Sequence, residues 1–176
     1  MRHARRHGYP VPRVLEVTAN ALVLERIEGP TMADQMRRRI SRLHRNASLL
    51  ARLHQQLHEI DAPVNLPAVS PGDRLLHLDL HAANVILAPT GPVVVDWTNA
   101  RRGDPAFDVA LTWVIGATSG GRGRLSQSFL RRFMSHFDRR ELLDALPAAA
   151  EWRLADSNVT DSERQAIRDL VRNAGV

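Results

Sequence analysis

The sequence predicts an α+β fold in which helices predominate and short strands form two hairpins. Runs of β-branched and aliphatic residues at 13–25 and 85–95 each surround a turn-forming segment, which predicts the hairpins. Apolar residues recur at helical spacing over 41–60, and the chain after residue 107 is typical of helices. No internal repeat or linker interrupts the 176 residues, so we expect a single domain.

The first hairpin is predicted near the N-terminus and is followed by a helix. Residues 13–17 and 21–25 are the two β-rich runs, and they flank a short turn. Gly29 and Pro30 end this strand region. A short helix is expected from Thr31.

A long helix is predicted over 41–60, with one apolar face. The face consists of two interleaved rows of three apolar residues each. The rows are Leu43, Leu50 and Leu57, and Ala47, Leu53 and Ile60. His44, His54 and His58 lie on the same helix, and we expect them to be packed or surface imidazoles rather than metal ligands.

The second hairpin follows a Pro-rich loop at 61–73. Its strands are predicted at 85–87 and 93–95. From there the chain is predicted to be helical at 107–118, 125–137 and 140–154, with a last helix. The segment Thr160-Asp-Ser-Glu163 forms a capping box that opens this last helix.

Two carboxylates and one amide are spaced as a metal-phosphate site requires. Asp79 and Asn84 lie in the segment His77-Leu-Asp-Leu-His-Ala-Ala-Asn84, and Asp96 ends the second strand of the hairpin. Because the strands are antiparallel, we expect Asn84 and Asp96 to meet at the open end of the hairpin. Phosphoryl transfer needs an acceptor for the hydroxyl proton and oxygen ligands for Mg²⁺. Asp79 is the candidate acceptor, and Asn84 and Asp96 are the candidate ligands.

These motifs resemble those of the aminoglycoside phosphotransferase and choline kinase-like small-molecule kinases. That family has a catalytic loop H-G-D-L-H-x-x-N, and its metal-binding strand ends in Asp-Trp, here Asp96-Trp97. The segment Gly103-Asp-Pro-Ala-Phe-Asp-Val-Ala110 is similar to the family's G-D-P-x-x-D-L-A. Upstream, residues 7–13 and 24–29 resemble the strand before the nucleotide hinge and the hinge itself. The motifs follow one another in the order that the family has.

The resemblance implies a protein-kinase-like fold and kinase chemistry. Residues 1–29 would be a remnant of the N-terminal lobe with the nucleotide hinge, and residues 30–176 would be the helical C-terminal lobe with the catalytic loop. ATP or GTP would be the co-substrate with Mg²⁺, and a hydroxyl of a small molecule would be the acceptor. The backbone of Glu25, Arg26 and Ile27 would bind the purine.

Four further residues are expected to support the site. His77 would orient the catalytic loop through hydrogen bonds, and His81 would either approach the phosphates or pack. Asp104 and Asp108 are expected to bind backbone amides and helix starts rather than substrate. The acceptor would lie among the C-terminal helices, where acidic residues could suit a cationic substrate. These are Glu141, Asp144, Glu151 and Asp156.

The chain also departs from the family pattern. Leu78 stands where the family usually has Gly, which predicts an altered backbone beside Asp79. All 24 basic Lys and Arg residues are Arg, so the sequence offers no phosphate-binding Lys, and Arg presents its charge differently. Neither the glycine-rich turn nor the Lys-bearing strand of the family is found, and we expect the chain to be N-terminally truncated.

Composition excludes several classes of site. The absence of Cys removes disulfides, thiolate zinc sites and a Cys nucleophile. The net charge of +5 invites a nucleic-acid partner, but the Arg residues are dispersed and the aromatic content is only 5%, so none is expected. Arg pairs such as Arg101-Arg102 are expected on solvated helix or loop surface. No run of 18 apolar residues occurs, so we expect no membrane partner and a cytoplasmic protein.

Two other functions are open at this point. The residues His77, Asp79, His81 and Asp96 could form a divalent-metal hydrolase site. This alternative leaves Asn84 and the hinge-like segment unexplained. A catalytically inactive, pseudokinase-like binding module is the other alternative, since the glycine-rich loop and the Lys are lacking.

Overall fold

Helices make up most of the chain in the computed structural model, which describes residues 1–118 and 123–175. The helices are α1 (Arg2–Arg6), α2 (Met32–Arg38), α3 (Leu43–His58), α4 (Pro105–Thr118), α5 (Arg124–Met134), α6 (Arg139–Leu154) and α7 (Asp161–Ala174). The strands are β1 (Val14–Val17), β2 (Leu22–Leu24), β3 (Arg74–Leu76), β4 (Val85–Ala88), β5 (Gly91–Val94) and β6 (Arg101–Gly103). Within the described ranges they pair as three antiparallel two-stranded sheets. The predicted α+β class is confirmed.

The first hairpin, β1–β2, has the predicted position. Val14 pairs with Leu24 and Val17 with Leu22, with a register shift between them. The Glu25 N–H donates to the Arg13 carbonyl at 2.8 Å, which extends the pairing by one residue. The chain leaves β2 directly into the predicted hinge segment.

Gly29 brings the end of the hinge segment against strand β4. It has a φ of +150°, and a Cβ atom there would lie 2.5 Å from the Leu87 carbonyl oxygen. The neighbouring Pro30 carbonyl accepts a hydrogen bond from the Leu87 N–H at 2.9 Å. A glycine is needed here both for its backbone conformation and for this close approach. The next residue, Thr31, caps α2 by accepting a hydrogen bond from the Asp34 N–H at 3.0 Å.

Helix α3 carries the apolar face that its sequence predicts. All six residues of the two predicted rows are buried, and each is at most 7% exposed. Burying a leucine side chain contributes about 1.5–3 kcal/mol, so this face accounts for much of the core around the helix. The Tyr9 hydroxyl donates to the Leu53 carbonyl at 3.0 Å and attaches the N-terminal segment to α3.

Strand β6 was not predicted. Arg101 and Arg102, expected on solvated helix or loop surface, lie in a strand that pairs with β3. Leu75 is opposite Arg102, and Leu76 is opposite Arg101. The prediction was wrong because the partner strand is distant in sequence, and a two-residue Arg run carries no strand periodicity of its own. This sheet holds the chain that enters the catalytic loop.

The second hairpin, β4–β5, confirms the predicted pairing. Val85 is opposite Val94, and Ala88 is opposite Gly91. One step further, the Val95 N–H donates to the Asn84 carbonyl at 3.0 Å. The open end of the hairpin therefore places Asn84 and Asp96 in neighbouring positions.

Helix α4 lies at the centre of the C-terminal helices. Its buried residues contribute to three apolar clusters, through Val109 in the first, Leu111 in the second and Val114 in the third. Helices α5, α6 and α7 surround it, close to their predicted limits. Arg153 of α6 donates to Glu163 of α7 at 2.9 Å, which links the last two helices. Across residues 1–118 and 123–175, no helix is long and apolar enough to cross a membrane.

Candidate functional site

The catalytic-loop segment connects β3 to β4 and places two polar side chains, Asn84 and His81, beside Asp79. The Asn84 Nδ2 donates to both the main-chain oxygen and Oδ2 of Asp79, at 2.9 Å each. The His81 Nε2 lies 3.2 Å from the other carboxylate oxygen, Oδ1. His81 Nδ1 accepts from the Ala83 N–H at 3.2 Å, so the proton of a neutral His81 is on Nε2, the ring nitrogen that lies near Asp79. The carboxylate of Asp79 thus accepts a hydrogen bond from Asn84, lies beside the His81 imidazole and is 24% exposed.

The backbone beside Asp79 is in the left-handed region. Leu78 has a φ of +61°, and its side chain is buried at 2% exposure. This conformation costs a residue with a Cβ roughly 1–2 kcal/mol, whereas glycine adopts it freely. The loop therefore has a glycine-type backbone at this position although the residue is Leu, and burial of the side chain offsets the cost.

Asp108 of α4 fixes this strained backbone from below. It is fully buried, and its Oδ1 accepts from the Leu78 N–H at 2.8 Å, while Oδ2 accepts from the His77 N–H at 3.1 Å. The His58 Nε2 donates to the same Oδ2 at 3.0 Å. Burial by itself would raise the pKa of Asp108, but these donors favour the carboxylate, and the pKa lies below its usual range. Asp108 acts on the loop and not on substrate.

His54 completes the support beneath the loop. It is fully buried, and its Nε2 lies 3.1 Å from the Leu80 carbonyl, which can only accept, so Nε2 carries the proton. The Thr112 hydroxyl donates to the same carbonyl at 2.9 Å. Burial lowers the pKa of His54 from 6.5 to about 4. His54 is therefore neutral at neutral pH.

His77 joins the catalytic loop to the strand that carries Asp96. It is fully buried, and its Nε2 donates to the Val95 carbonyl at 3.0 Å. Its ring packs against Trp97 with centroids 4.7 Å apart. Burial lowers the pKa of His77, which keeps the imidazole neutral. This position orients the loop and gives His77 no access to a substrate proton.

Asn84 and Asp96 present oxygen atoms at the open end of the β4–β5 hairpin. Asp96 is exposed, has a φ of +60°, and accepts a hydrogen bond from the Thr98 hydroxyl at 2.8 Å on Oδ1. In the described part of the chain, neither Asp96 Oδ2 nor Asn84 Oδ1 accepts a hydrogen bond. Carboxylate and amide oxygens of this kind are suitable ligands for Mg²⁺. The donor set fits the predicted metal.

Asp104 lies outside this group of side chains. Its Oδ1 accepts from the Ala106 N–H at 2.8 Å, at the start of α4, and its own N–H donates to the Ser70 hydroxyl at 2.8 Å. These contacts cap the helix that carries Asp108.

The predicted hinge residues Glu25, Arg26 and Ile27 form an extended segment after β2. Glu25 is bound to Arg13 through both its N–H and its carboxylate. Among the residues that the structure describes, none forms a hydrogen bond with the N–H or carbonyl of Arg26 or Ile27. Their main-chain groups are available to a ligand.

The hydrolase alternative requires a different arrangement of ligands. In the described ranges, the one group of three metal-type ligands with atoms within 4.8 Å is His54, His58 and Asp108. His77, Asp79, His81 and Asp96 do not assemble in this way, since His77 is bound to Val95. The sequence analysis missed the role of His58 as the partner of Asp108. The spacing of His54 and His58, one turn apart on a largely buried helix, was the available signal.

A cavity of about 710 Å³ opens beside Asp79. Helices α2, α3, α4 and α5 supply most of its walls, together with the catalytic loop and Arg153 of α6. Apolar side chains make up much of its lining, namely Ala33, Met36, Leu43, Leu50, Ala82, Ala83, Ile115, Leu125, Phe129 and Leu130. None of the four acidic residues considered for a cationic acceptor lines it.

Comparison with known proteins agrees with these observations. The thiamine kinase of Escherichia coli (strain SMS-3-5 / SECEC) is 37% identical over 70 residues, which are 40% of this chain and 23% of that enzyme. The match to the thiamine kinase of Shigella boydii serotype 4 (strain Sb227) is 41% identical over 39 residues, 22% of this chain and 14% of that enzyme. The chain thus spans less than a quarter of the length of either relative in these matches.

Solved structures share the fold at low sequence identity. A thermostable mutant of aminoglycoside phosphotransferase APH(4)-Ia, in a ternary complex with AMP-PNP and hygromycin B, aligns with a TM-score of 0.70 at 16% identity. The alignment covers 99% of this chain and 82% of that one. The Plasmodium vivax ethanolamine kinase aligns over 98% of this chain and 69% of its own, with a TM-score of 0.59 at 12% identity. The fold is therefore protein-kinase-like and consists mainly of the helical lobe.

The decisive comparison is with a protein family. A family model described as the phosphotransferase enzyme family matches residues 31–152, more than two thirds of the chain. The matched range contains the catalytic loop, the β4–β5 hairpin and Asp108, which binds the backbone of residues 77 and 78. The chain therefore belongs to the phosphotransferase enzyme family.

Proposed function

We propose that this protein transfers the γ-phosphoryl group of ATP or GTP to a hydroxyl of a small molecule. The observation that carries the proposal is the arrangement around Asp79. One carboxylate in the lining of a cavity accepts a hydrogen bond from Asn84 and lies 3.2 Å from His81, and Asn84 and Asp96 occupy neighbouring positions at the open end of the hairpin. This combination supplies a proton acceptor, a candidate metal site and room for an acceptor molecule.

Asp79 is proposed to orient the acceptor hydroxyl and accept its proton. The hydroxyl oxygen forms a bond to the γ-phosphorus, the bond from that phosphorus to the bridging oxygen breaks, and the nucleoside diphosphate leaves. The hydrogen bond from Asn84 and the adjacent His81 imidazole position the carboxylate before substrate binds. Such positioning is the main contribution that a protein makes to this reaction.

Asn84 and Asp96 are proposed to hold Mg²⁺, and residues 25–27 are proposed to bind the purine. When bound, the metal neutralises charge on the phosphates. The unbonded main-chain groups of Arg26 and Ile27 can donate to and accept from a base without any requirement on their side chains. We accordingly assign residues 1–29 to the nucleotide hinge side and residues 30–176 to the catalytic lobe.

A nucleotide-binding protein without turnover is the second candidate. The observation in its favour is that none of these 176 residues is Lys, and Arg presents its charge differently from a compact ammonium. Electrostatic stabilisation of this type is a large part of the rate enhancement in phosphoryl transfer. We therefore expect turnover well below the typical kinase range of about 1–100 s⁻¹.

Isothermal titration with Mg²⁺-ATP tests the nucleotide site. We expect the native protein to bind and Asp96→Ala to lose measurable binding, because the substitution removes one of two protein ligands to the metal. Asp144→Ala, which removes an exposed carboxylate on α6, serves as the matched control and retains binding. A native protein that binds no Mg²⁺-ATP contradicts the proposal, as does tight Zn²⁺ binding at the site without nucleotide.

A further inference from the structure

The cavity beside Asp79 has a chemical character that bears on the acceptor. Its apolar wall is contributed by four different helices, with Met36 on α2, Leu50 on α3, Ile115 on α4 and Phe129 on α5. These side chains surround a volume of about 710 Å³, within the usual range for pockets that enclose a small organic molecule. Contact with such a wall favours a ligand with a large apolar surface.

The cavity lacks the groups that recognise a cation. Asp79 is the one carboxylate in its lining among the residues that the structure describes; Asn84 already donates to it, and the His81 imidazole lies 3.2 Å from it. A polycation needs several carboxylates, because each ammonium group that leaves water must be paired. A quaternary ammonium group needs several aromatic faces, and Phe129 is the one Phe, Trp or Tyr in the described lining.

The two arginines in the lining reinforce this character. Arg153 donates to Asp156 at 2.8 Å and to Glu163 at 2.9 Å, and its side chain is 21% exposed. Arg37 donates to Asp34. Both guanidinium groups are thus paired with carboxylates outside the lining. Neither pair therefore presents a carboxylate to the cavity.

From this lining we infer that the acceptor is an uncharged, predominantly apolar alcohol, and not an aminoglycoside, choline or thiamine-type cation. The inference rests on the proposed function for the role of Asp79, and it names the substrate class of the same site. The apolar body of the alcohol occupies the space between α2, α3, α4 and α5. Its hydroxyl points to the Asp79 carboxylate, which the catalytic loop presents to the cavity beside His81.

Binding measured without nucleotide tests the substrate class separately from catalysis. The probes are two neutral alcohols, benzyl alcohol and 2-naphthaleneethanol, and three cations, choline, thiamine and kanamycin, each titrated calorimetrically into the purified protein. We expect 2-naphthaleneethanol to bind at least about tenfold more tightly than any of the cations, because it buries the most apolar surface. A cation that binds more tightly than both alcohols overturns the inference, and so does a protein that binds neither alcohol.

A substitution in the wall shows whether the alcohol occupies this cavity. Leu125 lines it and is 49% exposed, so Leu125→Asp introduces a carboxylate without creating a buried charge. We expect binding of 2-naphthaleneethanol to weaken at least about fivefold, through lost apolar contact and the added charge. Val64→Asp is the control, since Val64 is 96% exposed on the loop before β3 and does not line the cavity. Circular dichroism verifies that both variants are folded.

The outcomes separate the two proposals. Equal weakening by Leu125→Asp and Val64→Asp, or by neither, overturns the assignment of the alcohol to this cavity. Alcohol binding that depends on Leu125 in a protein that binds no Mg²⁺-ATP supports the cavity assignment and contradicts the kinase function. Mg²⁺-ATP binding that depends on Asp96, with a preference for cations, leaves the kinase function standing and overturns the apolar acceptor.

Discussion

Leu78 combines an unfavourable backbone conformation with a favourable side-chain position. Its φ of +61° costs roughly 1–2 kcal/mol for a residue with a Cβ, whereas removing a buried leucine side chain costs about 2–5 kcal/mol. Burial is the larger effect, which explains how Leu is accommodated where the family usually has Gly. The backbone of the loop is therefore imposed by its hydrogen bonds to Asp108 and not by the residue type at position 78.

The same two contributions predict an unusual order of stability. Both Leu78→Ala and Leu78→Gly lose the buried side chain, but only Gly relieves the left-handed strain. We expect Leu78→Gly to be more stable than Leu78→Ala by roughly 0.5–1 kcal/mol, measured by urea unfolding. At Leu76, which is equally buried but lies in strand β3, the order reverses, because glycine weakens a strand relative to alanine. If the Ala variant were more stable than the Gly variant at both positions, the result would contradict backbone strain at Leu78.

At the scale of elements, α3 and α4 meet beneath the catalytic loop through buried ionisable groups. His54 and His58 come from α3 and Asp108 from α4, and together they support the backbone of residues 77 and 78. Burial keeps His54 neutral by lowering its pKa to about 4, whereas an unfolded chain would restore the pKa to about 6.5. Between these two values the unfolded state binds more protons than the folded state.

Stability should therefore fall as the pH is lowered from about 6.5 towards 4. The shift at His54 corresponds to about 3 kcal/mol across this window, and the lowered pKa of His77 acts in the same direction. Asp108, whose pKa is also lowered, adds its loss only below about pH 4, the ordinary range of a carboxyl group. Urea unfolding at several pH values should show a shallower pH dependence for His54→Gln. His7→Gln, an exposed imidazole on the N-terminal segment, should leave the slope unchanged, and an unchanged slope in both variants would contradict this account.

Local patterns predicted most of the elements, whereas contacts between distant segments were not predictable. The apolar rows of α3, the two hairpins and the capped start of α7 are encoded within a few residues of each other. The start of α4 was set two residues late, although Asp104 and Pro105 are a typical cap and first residue of a helix. Strand β6 and the contact of His58 with Asp108 depend on partners 25 to 50 residues away, and neither segment has a periodicity that identifies its partner.

In the candidate site, too, features set by neighbouring residues were predictable and features set by distant segments were not. The spacing of Asn84 and Asp96 was interpretable because a single hairpin sets it. The cavity was not, because its walls come from four helices and depend on how these helices pack. For this reason the acidic residues on α6 suggested a cationic acceptor that the lining of the cavity does not favour.

In the whole molecule, α4 connects the three apolar clusters. Helix α4 contributes to each cluster, through Val109, Leu111 and Val114 respectively. No cluster can therefore lose its packing without exposing part of α4. A shared central helix couples the parts of a core into a single cooperative unit. We therefore expect the described residues to unfold as one cooperative unit and not as separate subdomains.

The three tryptophans allow this cooperativity to be measured. Trp97 belongs to the first cluster, Trp152 packs against the second, and Trp113 packs against the first and third. In variants that keep a single tryptophan, with the others replaced by Phe, we expect each fluorescence transition in urea to coincide with the loss of helical circular dichroism measured on the same variant. A tryptophan whose transition precedes the helical one would show that its cluster unfolds independently.

The contact at Gly29 bears on the distance between the two ends of a bound nucleotide. Residues 24–29 and the β4–β5 hairpin touch through main-chain atoms, because the Gly29 backbone lies against the Leu87 carbonyl and the Pro30 carbonyl accepts a hydrogen bond from the Leu87 N–H. For a nucleotide bound as we propose, this contact fixes the span between the purine and the phosphates. The backbone contact thus determines the length of this span, and any side chain at position 29 would change that length.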